Sequence, residues 1–392
     1  MAVKVQWNPL DPASIRDPYP IYSELRENHP VYWHAGMSSW VLTRYDDCQM
    51  VLRDHAIFAR DRRRVGVEMP DERINIQKQD PPEQAALRGI TGKALVSLPL
   101  EQICADARIL MAEKLQIAAK NGPFDMMRDV AGPAAIHVIN RIFGVDEYTY
   151  DGYSPIYQGL TQNMDSGLAP SRRLAGHAAG DALRVAVDGW LERRLGHGEV
   201  SMLGALYANE EVGTMPGPYV RNTLVAIYNA GFSTAYASMG AITHELLAGG
   251  GLDAICRLDT ANRPALILAA EELLRYTSPA QATARVAVAR TELQGVTINP
   301  GETVVTMLAA ANRDRRQFDS PDQLVLDRSP NQHLAFAWGP HICLGARLAQ
   351  AWVVEIIKFL SEFGPRLRLR GGEQYMNAAT LRNLMTLPIE YV

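Results

Sequence analysis

The chain has 392 residues, 47% of them hydrophobic and 21% charged, with a formal net charge of −4. That length and apolar content can bury a large core, while the mild negative charge gives no footing for nucleic acid, whose readers are usually basic. The cysteines, Cys48, Cys104, Cys256 and Cys343, form no C-x-x-C pair, which argues against a disulfide framework, and nowhere do about eighteen apolar residues run together as a membrane span requires.

Taken in chain order, the first thirty residues carry charges and prolines, including Asp17-Pro18-Tyr19-Pro20, and lack the apolar core of a signal peptide, so a cytoplasmic location is expected. No linker, repeat or low-complexity block divides the chain, which reads as a single domain over residues 1–392. Val31 to Trp33 and Trp40 to Thr43 are strand-like. The basic cluster Arg60, Arg62, Arg63 and Arg64 reads as a solvated face, with attraction of an acidic substrate or carrier as the alternative. From about residue 80 to 275 the apolar spacing is helical. Within it lie Asp80-Pro81-Pro82-Glu83-Gln84 with Arg88, and a long helix expected over Tyr219 to Leu247, introduced by Pro216-Gly217-Pro218 and stopped by Gly249-Gly250-Gly251. At 1.5 Å per residue such a helix runs roughly 45 Å, enough to cross the molecule. Its middle, Ala230-Gly231-Phe232-Ser233-Thr234, combines small residues with two hydroxyls that can bond back to carbonyls, and a loosened ladder with a groove is expected there.

Glu272-Leu273-Leu274-Arg275 places a carboxylate and a guanidinium on one helix face at i and i+3. Arg285 opens the alternating run Arg285-Val286-Ala287-Val288, and Val296 to Val305 is strand-like around the Asn299-Pro300-Gly301 turn. The fold class expected is therefore mainly α with small β-sheets. Near the C-terminus stands Phe336-Ala337-Trp338-Gly339-Pro340-His341-Ile342-Cys343-Leu344-Gly345-Ala346, a lone cysteine framed by glycines. Gly339 and Gly345 would let backbone approach a sulfur and a flat cofactor closely, and donated N–H groups would spread the sulfur's charge. That is suited to a thiolate on haem iron, a ligand that favours O–O cleavage; the alternative is a buried structural cysteine.

With Ala311-Asn312-Arg313-Asp314, Phe318, Pro321 and Asp322 lying between the E-x-x-R pair and Cys343, the set resembles the cytochrome P450 family over nearly the whole chain, in the form of its soluble bacterial members. The resemblance implies the triangular-prism fold, with haem b between the long helix and the Cys343 loop, Cys343 as the metal ligand, and Phe336, Gly339, Gly345, Ala230 and Gly231 against the cofactor. It implies propionate contacts from Arg88, Gln84, Arg285 and His341, Gln84 standing where the family usually has histidine. Glu272, Arg275 and Arg313 are implied as a structural network. Thr234 is implied to steady oxygen, and Ser233 occupies the place of the family's usual acid, which weakens a proton relay. Ala337 replaces a customary glycine, implying about 1 kcal/mol of strain if the position needs positive φ. Pocket residues are implied from Arg64 to Pro70, Tyr153 to Arg173, Ala226 and Ala230, Pro279 to Ala284, and Ala379 to Leu381.

The function expected is a monooxygenase or oxidase acting on a small organic molecule, in secondary-metabolite biosynthesis, with O2 as co-substrate and electrons passed from NAD(P)H by ferredoxin reductase and ferredoxin. Arg313, Arg315 and Arg316 are candidates for steering that partner. A peroxide-driven oxygenase, an oxidative-coupling enzyme and a non-catalytic haem sensor are the alternatives.

Overall fold

The computed structural model describes residues 7–392. Seven helices frame the site: α1 (Glu83–Val96), α2 (Gly132–Phe143), α3 (Tyr150–Asn163), α4 (Arg172–Glu192), α5 (Gly217–Ala248), α6 (Arg263–Thr277) and α7 (Ala346–Phe363). The central α5 follows Pro216 and accommodates Pro218 in its first turn, where a missing N–H costs nothing, and it ends when the Gly249 N–H reaches the Glu245 carbonyl at 2.9 Å. It is one turn-fraction longer at each end than the spacing predicts. Being enclosed by other helices, α5 is apolar on most of its circumference rather than along one stripe.

Close approach of neighbours is written into α5. At Gly231 an added Cβ would lie 2.5 Å from Ile139 Cδ1 of α2, so the glycine serves helix packing. Trp352 Nε1 of α7 donates to the Ala235 carbonyl at 3.0 Å, and Tyr228 Oη donates to Asn140 Oδ1 at 2.7 Å. The expected loosening in mid-helix does not occur: α5 is α-helical without a break from Gly217 to Ala248.

A five-stranded sheet flanks the helices. β1 (Val31–His34), β2 (Ser39–Leu42), β3 (Phe58–Ala59), β4 (Thr283–Ala287) and β5 (Thr303–Thr306) lie in the order β1-β2-β5-β4-β3. β2 and β5 are parallel, with Trp40 opposite Val304, and β4 runs antiparallel to β5, with Arg285 opposite Val304. The Asn299-Pro300-Gly301 turn does not close a hairpin. Val296–Ile298 pairs back onto Thr291–Leu293, whereas β5 joins the main sheet, because the Gly301 N–H is taken by the Ala287 carbonyl and the Asn299 N–H by Glu302. Short strands near the C-terminus, Leu367–Leu369 and Pro388–Tyr391, pair with each other, and the latter also with Phe124–Asp125. Among the described residues no helix is long and apolar enough to cross a membrane.

Candidate active site

Cys343 sits in a loop that the backbone folds tightly over the N-terminus of α7. The Cys343 N–H donates to the Phe336 carbonyl at 2.8 Å and the Ala337 N–H to the Leu334 carbonyl at 2.9 Å. Ala337 takes φ +58°, the left-handed region in which a Cβ is strained. Gly339, at φ +72°, is needed for a different reason than the cofactor: its Cβ would meet the Leu52 carbonyl oxygen at 2.5 Å, so the loop could not seat on the Tyr45–Arg53 helix. Gly345 adopts an ordinary φ of −89°, and a Cβ there would only touch Cys343 Sγ at 3.9 Å; its contribution is its N–H, directed at the sulfur.

The Cys343 thiol opens onto a cavity of about 1570 Å³ inside the molecule, enclosed by protein on its other sides. This burial pushes its pKa up, while the Gly345 N–H and the charge of Arg88 pull the other way. Arg88 on α1 donates to the Ile342 carbonyl at 2.6 Å, beside the cysteine. The turn Ala230–Thr234 of α5 lines the same cavity. The Ala230 carbonyl accepts from Thr234 Oγ1 at 2.8 Å and from Ser233 Oγ at 3.4 Å; Ser233 is buried, whereas Thr234 is exposed to the cavity. Among the described residues the carboxylates lining the cavity are Glu72, Asp165, Asp181 and Asp188, none of them on this turn.

One side of the cavity is strongly cationic. Arg285, on β4, is 3% exposed and, among the described residues, its guanidinium finds only the Ala284 carbonyl and Thr283 hydroxyl, at 2.9 and 3.4 Å. Burial, then the neighbouring Arg60, lowers its pKa to about 9. Arg60 itself donates to Thr283 Oγ1 at 2.6 Å and to the Gln77 carbonyl at 2.9 Å. His341 Nε2 lies 2.8 Å from Asp80 Oδ1, and the Gln84 amide donates to the Pro340 carbonyl at 3.0 Å and lies 3.5 Å from His341 Nδ1. Burial lowers the His341 pKa, and Arg60 and Arg285 lower it further against the pull of Asp80, so the neutral ring donates to a carboxylate. Burial raises the Asp80 carboxyl, but His341 and the backbone N–H groups of Asp61 and Arg60 outweigh it and hold the group at about 2. A buried guanidinium, Arg285, and a half-buried one, Arg60, with one nearby carboxylate leave positive charge facing the cavity, which suits the two propionates of a haem. With a thiol open to the same space, the residues fit that cofactor.

The structure brings most of the residues singled out in the sequence to one cavity and leaves a few elsewhere. Gln84, Arg88, Arg285, His341, Phe336, Gly345, Ala230 and Gly231 all line the cavity with Cys343, Ser233 and Thr234; Gly339 does not. Arg60, read from the sequence as part of a solvated face, turns inward, whereas Arg63 pairs with Asp61 at 2.6 Å and Arg64 bonds the His55 carbonyl at 2.6 Å. Its only signal is its place directly after the buried pair Phe58-Ala59. Of the expected pocket segments, Arg64 to Pro70 stays outside and residues of 72–78 line the cavity instead; Leu160, Asn163 to Asp165, Ala226, Pro279 to Ala284 and Ala379 to Leu381 do line it.

Beneath the site, Arg275 Nε and Nη2 grip Glu272 at 2.7 and 2.8 Å, both residues fully buried. The third member is Arg328, not Arg313: Arg328 Nε donates to Glu272 Oε2 at 3.0 Å, and the Val325 N–H to Oε1 at 2.9 Å. Arg313 is drawn away because its guanidinium stacks on Tyr276 at 3.7 Å and Tyr19 at 4.3 Å and pairs with Asp322 at 3.0 Å. Arg275 Nη1 also donates to the Asn312 and Pro321 carbonyls at 2.7 and 2.8 Å, tying the helix to the loop that precedes the cysteine.

Comparison with known proteins decides the family. The cytochrome P450 family model matches residues 244–369. Cytochrome P450 109 of Bacillus spizizenii is 31% identical over 85% of this chain and 81% of its own length. This chain belongs to the cytochrome P450 family. The 6-deoxyerythronolide B hydroxylase of Saccharopolyspora erythraea is 30% identical, covering 85% of each chain. The solved structure of CalO2 superposes with a TM-score of 0.85 at 28% identity, over 98% of both chains. The protein is thus a P450 oxidoreductase that uses haem b and O2, acts on a small molecule, and receives electrons from NAD(P)H through redox partners.

Proposed function

We propose that this P450 is a monooxygenase or oxidase of secondary-metabolite biosynthesis, with Cys343 as the thiolate ligand of the haem and Thr234 as its catalytic hydroxyl. The observation that carries the reading is that Cys343 and Thr234 line one and the same cavity. Relatives such as mycinamicin IV hydroxylase/epoxidase of Micromonospora griseorubida at 29% identity and the polyketide biosynthesis cytochrome P450 PksS of Bacillus subtilis at 25% support the biosynthetic setting. A separate ferredoxin and its reductase, the arrangement the family resemblance supports for a cytoplasmic member, deliver the electrons. The basic patch proposed for that partner is narrower than the sequence suggests, since Arg315 and Arg316 both pair with Glu27 at 2.9 Å.

Bound here, the haem supplies reductive activation of O2. The chain's own groups do the rest. The Gly345 N–H and the start of α7 favour a sulfur anion at Cys343. Arg88, Arg285, Arg60, Gln84 and His341 would hold the propionates. Thr234 Oγ1, now donating to the Ala230 carbonyl, is free to rotate and donate into the cavity. Ser233 holds a proton at Oγ without the charge a carboxyl would bring, so proton delivery passes through water or a substrate group.

That last feature favours a second reading, a peroxide-driven oxygenase, which needs no relayed protons from an acid on this turn. Turnover by the haem-loaded protein with hydrogen peroxide, compared with ferredoxin, its reductase and NAD(P)H, separates the two. Product with the electron chain and little with peroxide is expected; the reverse would replace the first reading by the second.

A further inference from the structure

Where residues 72–78 line the cavity, two cations stand to which the haem-binding set gives no role, Arg73 and Lys78. Segment 72–78 lies against the N-terminal part of α5: the Ile76 N–H donates to Thr223 Oγ1 at 3.1 Å and Asn222 Nδ2 to the Ile74 carbonyl at 3.0 Å. Arg73 and Lys78 on this segment, with Arg184 on α4 and Arg221 on α5, line the cavity there. Arg221 is matched by Asp188 at 3.3 Å, and Arg184 is paired with the exposed Asp181. Among the described residues neither Arg73 nor Lys78 has an ion-pair partner, although Lys78 is half-buried. Burial lowers the pKa of the Lys78 ammonium, and the charges that act on it, those of Arg73, Arg184 and Arg60, are positive and lower it further.

A half-buried ammonium surrounded by guanidiniums costs free energy that an anion would relieve. Thr234 lies eleven residues beyond Thr223 along α5, roughly 16 Å at 1.5 Å per residue. The cavity is also lined by the apolar Ile139, Leu160, Val225, Ala226 and Leu381, with the polar Asn163, Asp165 and Asn229 among them.

We infer that the substrate is an organic anion, with an apolar body oxidised beside Thr234 and a carboxylate or phosphate held by Lys78 and Arg73 at the other end of the cavity. This rests on the oxygenase reading above and names its substrate class. A chain of about twelve carbons would span the roughly 16 Å along α5 between Thr223, where residues 74–76 pack, and Thr234.

The test uses the haem-loaded full chain and three probes of one length: dodecanoate, dodecyl phosphate and methyl dodecanoate. Affinity is measured by calorimetry, and the ferric spin-state shift is recorded in the same titrations. At least one anion is expected to bind about tenfold or more tighter than the neutral ester, a ratio that corresponds to about 1.4 kcal/mol. The preference should shrink to within about twofold in Lys78→Gln/Arg73→Gln and weaken as salt is raised. A neutral azole that ligates iron should bind both proteins equally, which reports an intact pocket. Tighter binding of dodecanoate identifies a free acid, and tighter binding of dodecyl phosphate a phosphate-bearing substrate. Equal binding of the ester, binding of neither anion, or a preference that survives the double substitution would overturn the inference. The carbonyl spectrum of the same samples tests the thiolate separately, so loss of the oxygenase reading is seen independently of the anion preference read by calorimetry.

Discussion

At the scale of single residues, the turn of α5 sets the chemistry. Thr234 faces the cavity while Ser233 is buried against the helix, so the two hydroxyls have unequal access although both share the Ala230 carbonyl. Thr234→Ala should bind substrate as the native protein does but divert reducing equivalents to peroxide or water, because a donor aimed at developing charge acts after ferric binding. Measured electrons per product would stay unchanged if the hydroxyl had no part. Ser233→Asp should raise the rate of oxygen activation relative to Ser233→Ala; identical rates and coupling would leave Ser233 a packing residue. Ala337, at φ +58°, carries strain that glycine would release. Ala337→Gly should therefore raise stability by about 0.5 to 1 kcal/mol, read from denaturant midpoints, and a loss would mean that the Cβ contacts outweigh the backbone term.

At the scale of elements, buried ionic clusters fix the loops that carry the site. Glu272 accepts from Arg275, Arg328 and the Val325 N–H with no exposure to solvent. Removing one partner strands a buried charge, at roughly 3–5 kcal/mol. Arg328→Ala is expected to lose haem content as severely as Arg275→Ala, whereas Arg313→Ala should cost stability with haem content largely kept. Equal haem loss in Arg328→Ala and Arg313→Ala would contradict this assignment. Asp80 performs the same service for the His341 end of the cysteine loop. Its folded pKa, about 2, lies below the ordinary value of 3.8, so its contribution is present above about pH 4 and is lost as pH falls towards 2. The stability gap between native protein and Asp80→Asn should be roughly 2 kcal/mol near neutrality and close over that window. A gap independent of pH would assign Asp80 a packing role only.

At the scale of the whole molecule, periodicity and motif order made α5, the E-x-x-R helix and the Cys343 loop legible, because long amphipathic or glycine-marked segments leave strong local signals. Pairings set by distant partners were not legible. The Val296 to Val305 run divides between two sheets, and the strands after Leu367 are two to four residues long, too short for a period to show. Arg313 and Arg328 differ only in what surrounds them, two aromatic rings for one and a buried carboxylate for the other. Arg60 likewise looks like its exposed neighbours until β3 turns it inward. Every role proposed for the cavity depends on one bond, between Cys343 and the haem iron. The absorption spectrum of the reduced, carbon monoxide-bound protein tests it most directly: the account predicts the red-shifted Soret band of thiolate-ligated haem, abolished in Cys343→Ala, and a band typical of imidazole-ligated haem in the native protein would contradict it.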